Sequence, residues 1–416
     1  MKGNNTMSKA DNFEMPEFYI DTIKAGSEEI PGIKRMYDIA LAIGDSIMQW
    51  GGPGIGKSQA VQQWNKQKVK DMEAKGLKWN PVVCDVRLSM KEPVDMIGVP
   101  TIQVETVDGK GKPTTVWATP SMWPQDTGEY CGGVIHLDEM NQGQAAILNA
   151  AFQLIQDRQL GEYKVPDNYL IIASSNPPAF NSTVTELSIP LSNRFSHFNI
   201  VPNFESWVNY RMNNGGNIDV MTFLKTQGEH LLYDNETMKR RLGSDATTKY
   251  TDIVITPRSW EIAERVLALP EGTKATGGFT MLEKQRYITG RLGSINTAKF
   301  FAFIKDRQKY QPWQEILIEG KDFKTDKEGN IDNNVFWSVQ MACMSAMINE
   351  PDDKKARQYA LNFIKATNNL KSKQYKTINI AAIARADRLK SVLDLMKDAP
   401  DLLALVANSI YAFSKA

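Results

Sequence analysis

A parallel α/β sheet with helices on both faces, followed by a mostly helical second half, is the fold class this sequence predicts. Three observations predict it. Short apolar runs recur at residues 46–50, 81–86, 134–137 and 170–173, and each reads as a buried strand. Helical patterns, such as 58–75 and 144–156, lie between these runs, and crossover helices are what a parallel sheet needs. After about residue 205 the strand signal fades. Residues 259–269, 285–307, 334–349, 353–367, 387–397 and 401–413 then read as helices, with Pro400 breaking the last two apart.

Each element has a local reason. Ile33, Met36, Ile39, Ala40 and Ile43 recur at helical spacing. The run 46–50 ends in glycines. In the helix that follows, Val61, Trp64, Val69 and Met72 share one side and Gly76 is the stop. Two stretches break the strand–helix rhythm. Residues 101–107 alternate, 108–112 are turn-rich and 114–119 alternate again, which predicts an inserted hairpin. Residues 158–169 predict a second hairpin, with Gly161 and Pro166-Asp167-Asn168 supplying the turn chemistry. Residues 1–18 are polar and read as a loose tail, and 320–332 are charged and glycine-containing, as an exposed connector would be.

At 416 residues the chain is long enough for two or three domains. Its formal net charge of +1 argues against a protein whose main task is coating nucleic acid, because phosphate neutralisation needs clustered Lys and Arg. Cys84, Cys131 and Cys343 are far apart, with no CxxC and no Cys/His cluster. That argues against a disulfide framework or zinc site and fits a reducing, cytoplasmic compartment. His136, His197 and His230 are equally scattered. The N-terminus lacks the apolar stretch of a signal peptide, and the longest apolar-rich run, 402–413, is too short to span a bilayer.

Gly51-Gly52-Pro53-Gly54-Ile55-Gly56-Lys57-Ser58 matches GxxxxGK[ST] between a predicted strand and a predicted helix. Glycines let backbone N–H groups curl around phosphate oxygens, and the helix N-terminus adds its positive end. Lys57 is placed to reach the β- and γ-phosphates, and Ser58 to ligate Mg²⁺. Gln59 completes the nucleotide-contacting run. Val134 to Glu139 is a strand ending in two carboxylates: Asp138 for the Mg²⁺ shell and Glu139 as general base for the attacking water. A glycine-rich turn and an acidic strand end are the bland alternatives, and the pairing of the two motifs tells against both. Residues 170–177 form another strand ending in Asn176, at the end of a parallel sheet where ligands sit. Alone, Asn176-Pro177 reads as a turn starter. Arg194, just past the α/β region, and Arg258, opening a later helix, are candidate contacts to transferring phosphate. Without context both read as solvated arginines.

The order of these motifs resembles AAA+ ATPases, and in detail the MoxR-type branch. The stretches that carry the resemblance are Arg87-Leu88-Ser89-Met90 with Asp95 to Pro100, Leu137 to Asn141, Gln156 to Tyr163, Ala173 to Pro177, Asn193 to Phe198, Thr256 to Glu261 and Tyr287 to Gly293. The likeness runs from about residue 26 to 310. It implies Walker A at Lys57 and Ser58, Walker B at Asp138 and Glu139, sensor 1 at Asn176, an arginine finger at Arg194 and sensor 2 at Arg258. It also implies ATP or ADP with Mg²⁺ at a subunit interface and a homo-oligomeric ring, usually of six. The first hairpin becomes an insert facing the pore. The expected partner is a protein with a von Willebrand factor A domain. The domain expectations are a tail at 1–18, an AAA+ core at 19–205, a helical lid at 206–320 and a helical extension at 321–416.

The leading expectation is an ATPase that remodels a protein partner. A nucleic-acid motor or loader is the alternative, but the hairpin sets Lys110 and Lys112 against Glu105 and Asp108, which leaves no basic stripe. A nucleotide-gated scaffold with little turnover is the third, and the intact pair Asp138 and Glu139 argues against it.

Overall fold

A computed structural model describes residues 17–19, 32–107, 110–177, 187–233, 253–307 and 310–386. The expected helices at 387–397 and 401–413 lie outside the described residues, as do residues 1–16 of the expected tail. The chain divides into two compact units, the first running through Val201 and the second beginning at Pro202.

The first unit is built on a parallel sheet. Its elements begin with β1 (Glu17–Tyr19), α1 (Ile33–Ile43), β2 (Ile47–Trp50), α2 (Lys57–Glu73), β3 (Cys84–Arg87) and α3 (Pro93–Ile97). An antiparallel hairpin follows, β4 (Val99–Val107) and β5 (Lys110–Ala118), as a separate two-stranded sheet. Then come β6 (Gly133–Asp138), α4 (Ala145–Asp157), the short hairpin β7 (Gln159–Leu160) and β8 (Tyr163–Lys164), β9 (Tyr169–Ser175), α5 (Ile189–Ser192) and β10 (Ser196–Val201). The sheet order is β1-β10-β2-β9-β6-β3, with every pairing parallel.

Burial explains that order. All seven residues of β9 are buried and β6 is buried up to Asp138, as central parallel strands covered on both faces must be. Helices do lie on both faces. Met48, Ile135, Leu137, Ile171 and Ala173 share one core with Leu148, Ala151 and Leu154 of α4. On the opposite face, the Tyr37 hydroxyl of α1 donates to Gln49 of β2 at 2.9 Å.

Several boundaries differ from the sequence expectation. The first hairpin has a tighter connection than expected, because Lys110 pairs with Val107 and residues 110–112 belong to the second strand. Glu17–Tyr19, at the end of the expected tail, is an edge strand on β10. β10 itself, Ser-His-Phe-Asn-Ile-Val, lacks a run of apolar residues and was not expected as a strand.

The second unit is helical among its described residues: α6 (Phe204–Asn213), α7 (Ile218–Gln227), α8 (Pro257–Leu267), α9 (Met281–Arg307), α10 (Trp313–Leu317), α11 (Asn333–Asn349), α12 (Asp353–Asn368) and α13 (Lys373–Arg385). Side-chain caps start most of them. Asn203, Asn217, Asp332, Asp352 and Ser372 each accept a backbone N–H from the first turn of the following helix. α9 is interrupted at Gly293, whose φ of 75° with ψ of 164° only glycine adopts readily.

The separation expected after Gly320 is absent. Phe223, Trp260 and Phe300, from before that point, share one core with Phe336, Cys343, Met347 and Phe363 from beyond it. The expected connector is pinned as well. Phe323 is buried against Phe336 and Phe363, and Gln311 clamps the segment by donating to the Asp322 carbonyl and accepting from the Lys324 amide. The charged residues around Phe323 hid that anchor from a reading of composition.

Candidate nucleotide site

The loop between β2 and α2 is shaped by two glycines. Gly56 caps α2 with a φ of 101°, in the left-handed region. Gly51 sits so close to β10 that a Cβ would lie 2.6 Å from the Ile200 carbonyl oxygen. Ile55 is buried and anchors the loop, while Pro53 and Gln59 are exposed.

Four predicted residues converge here. Lys57 Nζ donates to the Gly51 carbonyl at 2.7 Å, the Gly52 carbonyl at 3.0 Å and Asn176 Oδ1 at 2.9 Å. Ser58 Oγ donates to Asp138 Oδ2 at 3.0 Å. The sheet order makes this possible: β9 lies between β2 and β6, so Asn176 and Asp138 leave adjacent strands beside the loop that follows β2. Glu139 follows Asp138 with φ 54°, an uncommon conformation for a non-glycine residue and one found at functional sites. Its amide donates to Asp138 Oδ1 at 3.0 Å, and its carboxylate accepts from the Ser89 hydroxyl.

Arg194 takes no part in this cluster of contacts. Arg194 is exposed in the turn before β10, and its Nε donates to Gln156 Oε1 at 3.2 Å. Arg258 is an exposed residue at the start of α8, in the second unit.

The structure also reveals polar partners the sequence reading missed. Asn141 fixes the end of β9: its side-chain amide donates to the Asn176 carbonyl at 2.7 Å and its backbone N–H to Ser175 Oγ at 3.2 Å. A chain of hydrogen bonds, buried as far as His136, crosses four strands. Tyr37 donates to Gln49, Gln49 donates to Ser174 Oγ at 2.9 Å, and Ser174 Oγ lies 2.7 Å from His136 Nε2. His136 Nδ1 then lies 2.9 Å from Asp85 Oδ1. That bond, ahead of the nearby Arg87 charge, holds the Asp85 carboxyl below the usual carboxylate range. The available signal was Gln49, His136 and Ser174 themselves: polar residues in strands buried on both faces need partners. Partial burial pushes the Cys84 thiol up to about 12, with the Asp85 charge adding to the effect, so that thiol stays protonated.

Ser58 Oγ and Asp138 Oδ2 offer adjacent oxygens, the donor type that Mg²⁺ prefers. Asp85, His136 and Asp138 each place one ligand atom within 4.8 Å of the others, but both ring nitrogens of His136 are already engaged. Among the described residues no helix is long and apolar enough to cross a membrane.

No protein-family model and no curated protein matches the chain. Among solved structures, NtrX from Brucella abortus in complex with ADP is 14% identical, with a TM-score of 0.31 over 69% of this chain and 68% of NtrX. The same protein in complex with ATP gives a TM-score of 0.32 at 14% identity, over 68% and 66% of the two chains. The Thermotoga maritima RuvB Holliday junction branch migration motor gives 0.28 at 11% identity, over 76% and 75%. Similarity this distant decides neither family nor activity. The fold class rests on the all-parallel strand order and on the loop that joins β2 to α2.

Proposed function

We propose that this protein binds ATP with Mg²⁺ and hydrolyses it, and that it uses the cycle to remodel a protein partner, as the resemblance to MoxR-type AAA+ ATPases implies. The observation that carries this reading is the convergence of Lys57, Ser58, Asp138 and Asn176, linked by hydrogen bonds of 2.9 and 3.0 Å at the ends of adjacent strands. Lys57 exchanges its carbonyl and amide partners for the β- and γ-phosphates. Ser58 and Asp138 would hold the Mg²⁺, which would supply positive charge to offset that of the phosphates. Asn176 orients the attacking water. Glu139 takes the proton from that water as its oxygen attacks the γ-phosphorus and the bond to the ADP oxygen breaks.

Glu139 must be released to do this. In the structure its carboxylate is tied to Ser89, so the Ser89 contact restrains the base. Arg194 is exposed and bonded away from its own Lys57, which suits an arginine that serves a neighbouring subunit in a ring of six. The hairpin of β4 and β5 exposes Ile102 and Trp117 and is read as the part that engages the client, and Arg258 keeps the sensor 2 role that the resemblance implies. A partner with a von Willebrand factor A domain belongs to the same reading.

The test pairs two variants. Lys57→Ala should lose nucleotide binding. Glu139→Gln should bind ATP with Mg²⁺ while phosphate release falls by about a hundredfold or more, at the lower end of what general-base loss costs. Undiminished turnover in Glu139→Gln refutes the assignment of the base.

A further inference from the structure

We infer that His197 is a positioning residue that ties occupancy of the phosphate loop to the Arg194 turn of the same chain. The inference rests on the reading of Lys57 and Arg194 given above and adds the link between them.

Two contacts lock the start of the phosphate loop to β10. One is the Gly51 backbone, packed so tightly on the Ile200 carbonyl that no side chain fits between them. The other is Trp50, the last residue of β2. Its indole N–H donates to His197 Nδ1 at 2.8 Å, and the two rings lie side by side with centroids 6.1 Å apart and planes within 10°. Because Nδ1 accepts, the ring proton sits on Nε2. Nε2 then donates to the Ser192 carbonyl at 2.8 Å, with Ser192 Oγ 3.2 Å away. Phe195 packs edge-on against the same ring, with centroids 6.2 Å apart. His197 therefore bridges the residue before Gly51 and the turn that carries Arg194, using both ring nitrogens.

Nucleotide binding must disturb one end of this bridge. Lys57 holds the carbonyls of Gly51 and Gly52, and it has to leave them to reach phosphate. Gly51 cannot shift without moving Trp50 or pressing on Ile200. The imidazole, hydrogen-bonded at both ring nitrogens, passes that shift to Ser192, two residues before Arg194. A histidine serving only as core filler would not need one acceptor and one donor aimed at these two elements.

The experiment is a double-mutant cycle on ATP turnover. His197→Asn keeps an acceptor for Trp50 and falls short of Ser192. His197→Gln keeps a donor for Ser192 and gives up the Nδ1 position. Each should lower turnover about five- to tenfold, the factor associated with one net hydrogen bond, while ATP affinity stays within about twofold. In an Arg194→Ala background neither should lower turnover further, because His197 acts through Arg194. Amide exchange over residues 191–198 should change on ATP binding in the wild type and not in either variant. Should a His197 variant fail to fold, Trp50→Phe removes the donor, keeps an apolar ring and enters the same cycle. Additive losses, or exchange that still responds to ATP in the variants, overturn the inference while leaving the ATPase reading intact. A wild type that binds no nucleotide overturns both.

Discussion

Replacing Ser174 by alanine removes one hydroxyl and strands two buried partners. Ser174, Gln49 and His136 are each 0% exposed, so no water takes the place of the lost oxygen. The Gln49 amide and His136 Nε2 both lose their partner on that side, at 2.9 and 2.7 Å. Each buried group left unsatisfied costs about 1–3 kcal/mol, so Ser174→Ala should destabilise the first unit by about 2–6 kcal/mol. Tyr37→Phe strands only the Gln49 side-chain oxygen and should cost about 1–3 kcal/mol by the same reasoning. The ratio between the variants is the sharper test, because it counts orphaned groups. Native-state hydrogen exchange of the amides in β9 and β6 reads this unit without interference from the helical one. A loss below about 1 kcal/mol for Ser174→Ala, or a larger loss for Tyr37→Phe, would refute the idea that the chain of hydrogen bonds acts as one connected network.

Further outcomes follow from other contacts. Ser89→Ala should raise basal phosphate release about two- to tenfold, since it removes an exposed hydrogen bond that restrains Glu139; a fall would show that Ser89 supports the base. Asp85 has its folded-state pKa depressed mainly by the His136 hydrogen bond, so its contribution to stability is present above the ordinary carboxylate value near 3.8 and is lost as pH falls through the lower folded value. Urea midpoints measured across that acid range should fall less steeply for Asp85→Asn than for the wild type. Truncation after Gly320 should give a protein that aggregates and binds a hydrophobic dye, because it removes Phe336, Cys343, Met347 and Phe363 from the core they share with Phe223 and Trp260. A monodisperse, dye-silent fragment in size-exclusion chromatography would refute that.

What the sequence determined by itself is local in origin. The loop between β2 and α2 was legible because its motif is contiguous: the glycines, Lys57 and Ser58 lie within eight residues of one another, between a strand and a helix. The parallel core was legible because β2, β6 and β9 are buried on both faces and therefore read as apolar runs. Asp138 and Asn176 stood out because each ends such a run. The extent of α11 and α12 was likewise clear from apolar spacing that no glycine or proline interrupts.

Only the tertiary structure decided the rest, because it depends on neighbours distant in the chain. β10 has a single fully buried position and a polar sequence, so its place beside β2 comes from pairing with that strand rather than from its own apolar content. Phe323 sits among charged residues, and nothing local reveals that it reaches the shared helical core. His136 and His197 looked like scattered histidines. One lies 38 residues from its Ser174 partner and the other 147 from Trp50, and hydrogen bonds across such separations are set by strand order, not by spacing. A sequence shows which side chains need a partner. Strand order and packing choose the partner, because a hydrogen bond depends on distances of about 3 Å that only the folded chain sets.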